Sequence, residues 1–146
     1  MSKLVKVTKT HKKRVNNSYP FPKFKRLDKK IAAVPSDIDF LYIPGGYIES
    51  DSAYNKIKHS NSFKNSLLEH SKTKPIYAEC AGLLYLSKKV DNKVMSGVLD
   101  IEFELQDRFA RLGYYYNSDG VKGHAFHYTK PTTSTLKKGF DTLYKK

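Results

Sequence analysis

The sequence is short of several residue types, and each shortage excludes a class of protein. One cysteine stands among the 146 residues, so no disulfide forms within the chain and a reducing, cytoplasmic location is expected. Every apolar run is far shorter than the roughly 20 residues that cross a membrane. The first six residues lack the apolar core of a secretory signal. No GxxxxGK[ST] pattern occurs, so no P-loop for ATP is expected in this chain.

Acidic residues are also scarce, and the imbalance is concentrated at one end. The chain has 27 Lys+Arg against 14 Asp+Glu, a net charge of +13. Residues 1–30 hold 11 of the basic residues and one acid, Asp28. We interpret 1–30 as a basic, partly flexible segment. A solvated lysine-rich stretch is the favoured reading; a docking arm for an acidic partner and non-specific nucleic-acid binding are the alternatives.

The remaining residues, 31–146, suit one globular domain. Hydrophobic residues make up 39% of the chain, and Tyr and Phe number 11 and 8. This content supports a modest core. We predict an α/β fold from the alternation of apolar strands and helical stretches. Strands are expected near 3–7, 39–43, 75–79, 94–99, 101–106, 112–117 and 123–128, and helices over 53–71 and from the cysteine to about residue 88.

The single cysteine, Cys80, lies between two apolar runs and is followed by Ala81 and Gly82. This pattern predicts a strand, a sharp turn and a helix, with the thiol at the bend. The positive end of a helix dipole favours thiolate there. Cys80 is therefore a candidate nucleophile, while an inert buried cysteine is the alternative.

Two further segments point to the same edge of a sheet. Pro44-Gly45-Gly46 follows an apolar strand, and glycines there let the backbone approach a ligand and leave N–H groups free. His124 and His127 lie in an alternating stretch that predicts a strand, with both histidines expected on one face. Either could act as a base to the cysteine. An ordinary turn is the alternative for the glycines, and two surface histidines or a weak metal-binding pair are the alternatives for the histidines.

These three segments together resemble the glutamine amidotransferase domain of the cobyrinate a,c-diamide synthase family. The motifs are Tyr77-Ala78-Glu79-Cys80-Ala81-Gly82-Leu83-Leu84-Tyr85-Leu86, the upstream Pro-Gly-Gly-Tyr and the downstream Gly-His-Ala-Phe-His-Tyr. The likeness runs from about residue 37 to residue 128. It implies a flavodoxin-like three-layer sandwich with a mostly parallel sheet, shortened at both ends.

The resemblance also implies roles for particular residues. Cys80 would attack glutamine and His127 would activate it. The backbone of Gly45 and Gly46, with the N–H of Ala81, would form the oxyanion hole. The ammonia would pass to an ATP-dependent synthetase domain or subunit, where ATP and Mg²⁺ bind and carboxylates of a tetrapyrrole precursor are amidated in cobalamin biosynthesis. No metal or cofactor is expected in this chain, and neither a membrane nor nucleic acid is an expected partner.

The sequence departs from the family pattern at several positions. Ala81 replaces a glycine, and Ala125 replaces a glutamate between the two histidines, which removes an orienting or substrate contact. Asp119, Glu49 and Glu79 are candidates for a carboxylate that orients the histidine, although Glu79 is expected on the face opposite the thiol. A catalytically lapsed binding module with a basic interaction arm is therefore the alternative to a glutaminase.

Overall fold

The computed structural model describes residues 4–6, 32–116 and 119–132, and within them the chain is an α/β protein. The rest of the basic segment 1–30 and residues 133–146 lie outside the described residues. In chain order the elements are β1 (Leu4–Lys6), β2 (Phe40–Ile43), α1 (Asp51–Ile57), α2 (Asn61–Thr73), β3 (Ile76–Ala78), α3 (Ala81–Leu86), β4 (Lys89–Val90), β5 (Lys93–Val94), β6 (Glu102–Leu105), β7 (Arg111–Tyr116), β8 (Lys122–His127) and β9 (Thr129–Pro131).

The first three strands form a parallel sheet in the order β1-β2-β3. Leu41 pairs with Val5 of β1 and with Ile76 of β3. The strand predicted near 3–7 is confirmed, and the beginning of the basic segment is part of the sheet. Since parallel strands end at the same edge, the glycine turn after β2 and Cys80 after β3 lie at one edge.

The single helix predicted over 53–71 is wrong, because the structure has two helices with a break at 58–60. Ser60 is the N-cap of α2, and its carbonyl accepts the backbone N–H of Lys64 at 3.0 Å. His, Ser and Asn are poor helix formers, and Ser and Asn compete for backbone hydrogen bonds. The run His59-Ser60-Asn61 therefore ends one helix and starts the next.

The second half of the chain is mainly antiparallel. One sheet has the order β5-β4-β6-β9, in which β4 and β6 are parallel and the other pairs antiparallel, and β7 pairs with β8 as an antiparallel hairpin. The described strands thus form three small sheets, one parallel, one mixed and one antiparallel. A single mostly parallel sheet is not seen in the described part of the chain, because short turns in place of crossover helices produce antiparallel neighbours there. The flavodoxin-like sandwich stays a prediction.

The strand predicted at 94–99 is also mostly absent. Within this predicted strand, the pairing with β4 stops at Val94, and the following residues turn toward α3. The backbone N–H groups of Ser96 and Leu99 donate to the carbonyls of Tyr85 and Leu86 at 3.0 and 2.7 Å. The last carbonyls of a helix lack partners within the helix, and the N–H groups of this segment are their partners. The helix α3 therefore ends at Leu86 and not near residue 88.

The core lies between the parallel sheet, α2, α3 and the β4–β6 strands. Leu67 of α2 is fully buried, and Phe63 one turn earlier packs on the same cluster, as expected for side chains four residues apart. The buried hydrophobic residues are Val34, Ile38, Leu41, Leu67, Leu84, Tyr85, Leu86, Val90, Met95, Ile101 and Phe103. This packing holds the strands that end at the glycine turn and at Cys80.

Candidate functional site

Cys80 occupies a sharp turn between β3 and α3. Its backbone has φ 52° and ψ −118°, and its side chain is exposed. A positive φ is costly for a residue with a Cβ and persists only when the surrounding packing imposes it. Such strand–turn–helix bends present nucleophiles in α/β hydrolytic enzymes. The structure confirms the strand, turn and helix that the sequence predicts around this thiol.

Two glycines let the backbone close around Cys80. A Cβ placed on Gly45 would lie 3.2 Å from the Cys80 Cβ and 3.6 Å from its Sγ. A Cβ on Gly82 would overlap the carbonyl oxygen of Ile43. Gly82 therefore lets α3 pack directly on the end of β2, and Gly45 brings the glycine turn against the thiol. The predicted proximity of these two motifs is present.

The backbone donors predicted for an oxyanion hole are the N–H groups of Gly45, Gly46 and Ala81. Within the described part of the chain, the N–H groups of Gly45, Gly46 and Ala81 donate to no backbone carbonyl. A Cβ on Gly46 would meet nothing within 4 Å, so open space adjoins this turn. Cys80 makes no side-chain capping hydrogen bond to α3. These N–H groups could donate to a negatively charged oxygen formed beside the sulfur.

His127 lies at the end of β8. Its ring Nδ1 donates to the carbonyl oxygen of Thr129 at 2.9 Å. Since a carbonyl only accepts, Nδ1 carries a proton and Nε2 is the nitrogen left to act as a base in the neutral ring. Among the described residues, no hydrogen bond joins the Cys80 thiol to an imidazole. The structure brings Cys80, Gly45 and Ala81 together but does not join His127 to them.

The two histidines point to opposite faces of β8, so the expectation that they share a face is wrong. His124 and Phe126 lie on the exposed face of the strand. His127 lies with Gly123 and Ala125 on the opposite, less exposed face. Side chains repeat every two residues along a strand, and the histidines are separated by three. Ala125 is therefore on the face of His127, where a longer carboxylate could have reached the ring.

The three candidate carboxylates occupy different environments. Glu79 accepts hydrogen bonds from the hydroxyls of Tyr42 at 2.5 Å and Tyr77 at 2.8 Å, and those two rings stack at 5.6 Å. Hydrogen bonding to Glu79, with desolvation, raises the pKa of Tyr42 to about 12 and raises the pKa of Tyr77. Glu49 has a buried Oε2 with no partner in the described structure. Asp119 lies between β7 and β8.

Sequence reasoning missed the close contact of Gly82 and the tyrosine pair. The sequence pattern marks Gly82 only as a small residue after the cysteine, although a glycine inside a helix often has a packing reason. Tyr42 and Tyr77 pair directly across β2 and β3. Each precedes an inward apolar residue, so their common face could have been predicted from the alternation of the two strands.

Within the described residues, no helix has the length and apolarity needed to cross a membrane. The same part of the chain holds no group of three or more His, Cys, Asp or Glu side chains that could bind a metal ion.

Comparison with known families gives a match over most of the chain. Residues 18–145 match the profile described as "CobB/CobQ-like glutamine amidotransferase domain". The matched range includes Cys80, both histidines and the glycine turn.

Several cobyrinate a,c-diamide synthases are similar to this chain. The protein of Methanothermobacter thermautotrophicus is 32% identical over 106 residues, covering 64% of this chain and 23% of the relative. That of Listeria monocytogenes (strain EGD-e) is 32% identical over 125 residues, covering 72% and 27%. That of Saccharolobus solfataricus is 31% identical over 135 residues, covering 80% and 30%. The chain thus spans less than a third of the length of each of these relatives.

Proposed function

The chain belongs to the CobB/CobQ-like glutamine amidotransferase family, and on that premise we propose that it is a glutaminase that releases ammonia from glutamine for a separate synthetase. The observation that carries the proposal is the strained backbone of Cys80, which lies against Gly45 with its thiol exposed, while Gly82 packs on Ile43. Packing that imposes a positive φ on a cysteine is costly, and such strain is typical of catalytic nucleophiles.

In the proposed reaction, the Cys80 thiolate attacks the side-chain amide carbon of glutamine. The carbonyl oxygen becomes an oxyanion, which the N–H groups of Gly45, Gly46 and Ala81 would stabilise. Collapse of this intermediate expels ammonia after a proton is delivered to its nitrogen, leaving a γ-glutamyl thioester. Water then hydrolyses the thioester to glutamate and frees the thiol.

His127 is the proposed proton carrier. The Thr129 carbonyl holds its Nδ1–H, which leaves Nε2 to exchange protons with the thiol and the leaving group. This role requires the β7–β8 hairpin to bring the ring to Cys80, since no hydrogen bond joins the two groups in the described structure. Binding of glutamine or of a partner would supply that movement.

We further propose the fate of the ammonia. The matched relatives are named as cobyrinate a,c-diamide synthases and are more than three times as long as the matched segment. An ATP-dependent synthetase domain or subunit, holding ATP and Mg²⁺, would amidate carboxylates of a tetrapyrrole precursor in cobalamin biosynthesis. The chain would contribute the glutamine-hydrolysing half and bind no cofactor of its own.

A second candidate function is a binding module that has lost turnover. The observation that favours it is Ala125, which stands on the face of His127 and carries no group to orient the ring. Such a module would still bind glutamine or dock a synthetase, but it would release no ammonia.

The deciding experiment is glutamine-dependent ammonia release by the full chain, with labelling by a glutamine-analogue electrophile. We expect one adduct at Cys80 at neutral pH, and none in Cys80→Ser. Labelling that requires a pH near the free-thiol value of about 8.5 would contradict activation of this cysteine. A single adduct without ammonia release, alone and with a candidate synthetase, would favour the lapsed module.

A further inference from the structure

A cavity of about 680 Å³ lies where the β6–β9 pair meets the β7–β8 hairpin. It is formed by the loop 106–110 and by β9. The backbone N–H of Gln106 donates to the carbonyl of Tyr128 at 2.8 Å, and that of Ala110 donates to the carbonyl of His127 at 3.0 Å. Both ends of the loop are thus hydrogen-bonded to the backbone at the end of β8. The residues between them make no strand pairing.

An aromatic contact fixes the middle of the same loop. The Phe109 ring stacks on Tyr128 with a centroid distance of 4.2 Å and contacts Phe126 at 4.7 Å. Such ring pairs contribute beyond the area that they bury. Together with the two backbone hydrogen bonds, this stack gives the loop a defined shape, so the side chains beside Phe109 are presented by an anchored support.

The cavity is lined by three cations and one carboxylate. Arg108, Arg111 and Lys130 line it together with Asp107. Arg111 places its guanidinium 5.3 Å from the centre of the Tyr115 ring. Within the described part of the chain, no ion pair is recorded for any of these four residues, although Glu104 lies directly across from Lys130 in the strand register. Among the described residues, the lining therefore carries three positive charges against one negative charge.

We propose that this cationic cavity, defined by Arg108, Arg111 and Lys130, binds a small polyvalent anion that carries carboxylate or phosphate groups. Guanidinium groups match the geometry of both kinds of oxyanion and bind them with paired hydrogen bonds, and a lysine adds a mobile point charge. The volume is comparable with the roughly 300–1,000 Å³ of small-molecule sites, and because Arg108 and Lys130 are exposed, the anion would bind at the surface. The lining does not include Cys80 or the glycine turn, and the proposal does not depend on the proposed glutaminase activity.

The test is a titration of the full chain, followed by NMR or calorimetry at constant ionic strength, with citrate in one series and pyrophosphate in another. We expect saturable binding of one anion per chain for at least one of the two. The tighter of the two identifies the source of the charge as carboxylate or phosphate. Substitution of Arg108→Gln together with Lys130→Gln should weaken binding about tenfold or more, the scale of a lost charge-assisted hydrogen bond.

A matched control separates this site from general attraction to a chain of charge +13. Lys56→Gln with Lys58→Gln removes the same charge from exposed positions at α1 and should leave the affinity within about twofold, since distant exposed charges are screened. Arg108 and Lys130 are exposed, so a thermal unfolding midpoint should confirm that their variant is folded. Non-saturating responses to both anions, or equal losses in the two double variants, would overturn the proposal.

Discussion

The segment around Cys80 and the β7–β8 hairpin are held in different ways. Leu41 and Leu67, which support the strands and helices around Cys80, are completely buried, and Leu84 of α3 is 6% exposed. On the hairpin, Leu112, Tyr114 and Phe126 are 47%, 69% and 54% exposed. The nucleophile therefore rests on a packed core, whereas the candidate base rests on a two-stranded ribbon with one apolar face in solvent.

This difference separates what the fold has already organised from what a ligand or partner must still organise. An isolated two-stranded hairpin is marginally stable in water, so its position relative to the core is set by few contacts. The strained turn at Cys80 instead needs rigid support, because a costly backbone conformation relaxes wherever the surroundings allow it. The two halves of the proposed active site thus differ in stability.

The largest expected effect is on stability. Leu67→Ala removes a fully buried side chain from α2 and should lower the free energy of unfolding by about 2–5 kcal/mol. Leu112→Ala makes the same chemical change on the exposed face of β7 and should change it by no more than about 0.5 kcal/mol. Urea denaturation of both variants measures the contrast. Similar losses in the two would show that the hairpin is packed as firmly as the core.

The next effect is on turnover. His127→Asn should reduce glutamine hydrolysis by about 10²-fold or more, the usual scale for an acid–base group. His124→Asn should cost much less, because His124 lies on the opposite face of β8. Initial rates of ammonia release under saturating glutamine measure both. A greater loss at His124 would mean that the hairpin presents its other face to the thiol.

A smaller effect concerns pH. Burial lowers the pKa of His70 at the end of α2, a hydrogen bond to the Pro75 carbonyl opposes that shift, and the charge of Lys74 adds to it. With its folded pKa below the unfolded value of about 6.5, His70 favours unfolding when it is protonated. Stability should be complete above about pH 6.5 and should fall as the pH drops through the folded pKa, by at most about 1.4 kcal/mol per pH unit.

His70→Gln tests this effect, because glutamine does not titrate. Urea denaturation at a series of fixed pH values should show a shallower loss of stability in this variant between about pH 6.5 and 5. An ordinary histidine gains its proton in about this range. His59→Gln, at an exposed position, serves as the control. An unchanged slope in His70→Gln would assign the acid sensitivity to other groups.

Much of this arrangement was predictable from local sequence. The apolar runs before Gly45 and Cys80 mark β2 and β3, and the small residues after the cysteine mark the turn. The break at Ser60 follows from the low helix propensities of His59, Ser60 and Asn61. The helical spacing of the apolar residues does not reveal it. The separate faces of His124 and His127 follow from counting along a strand, so that error was avoidable.

Other features depend on tertiary contacts that local patterns do not contain. Residues 95–99 were predicted to be part of a strand, but two of their N–H groups donate hydrogen bonds to the last carbonyls of α3. The Gly82 contact with Ile43 depends on how closely a helix approaches a neighbouring strand. The cationic cavity joins residues near 108 to Lys130, and the pairing of β6 with β9 and of β7 with β8 brings those positions together.

The smallest expected effect concerns the basic segment 1–30, which carries most of the net charge and lies largely outside the described residues. We predict that it serves solubility or partner docking, and that its affinity for nucleic acid is weak and non-specific. Such binding comes from counterion release, so duplex and single-stranded DNA should bind similarly, and binding should be largely lost near about 0.2 M salt.

Deleting residues 1–14 would also remove β1, which pairs with β2, so charge removal is the sharper test of that segment. Replacing Lys9, Lys12, Lys13 and Arg14 with Gln should abolish DNA binding in a fluorescence anisotropy titration. It should leave labelling of Cys80 unchanged, because the thiol depends on the packed core for its geometry. Tight binding to one DNA sequence at about 0.15 M salt would contradict the prediction. It would place recognition of nucleic acid ahead of ammonia release as the role of the chain, since counterion release alone carries no sequence preference.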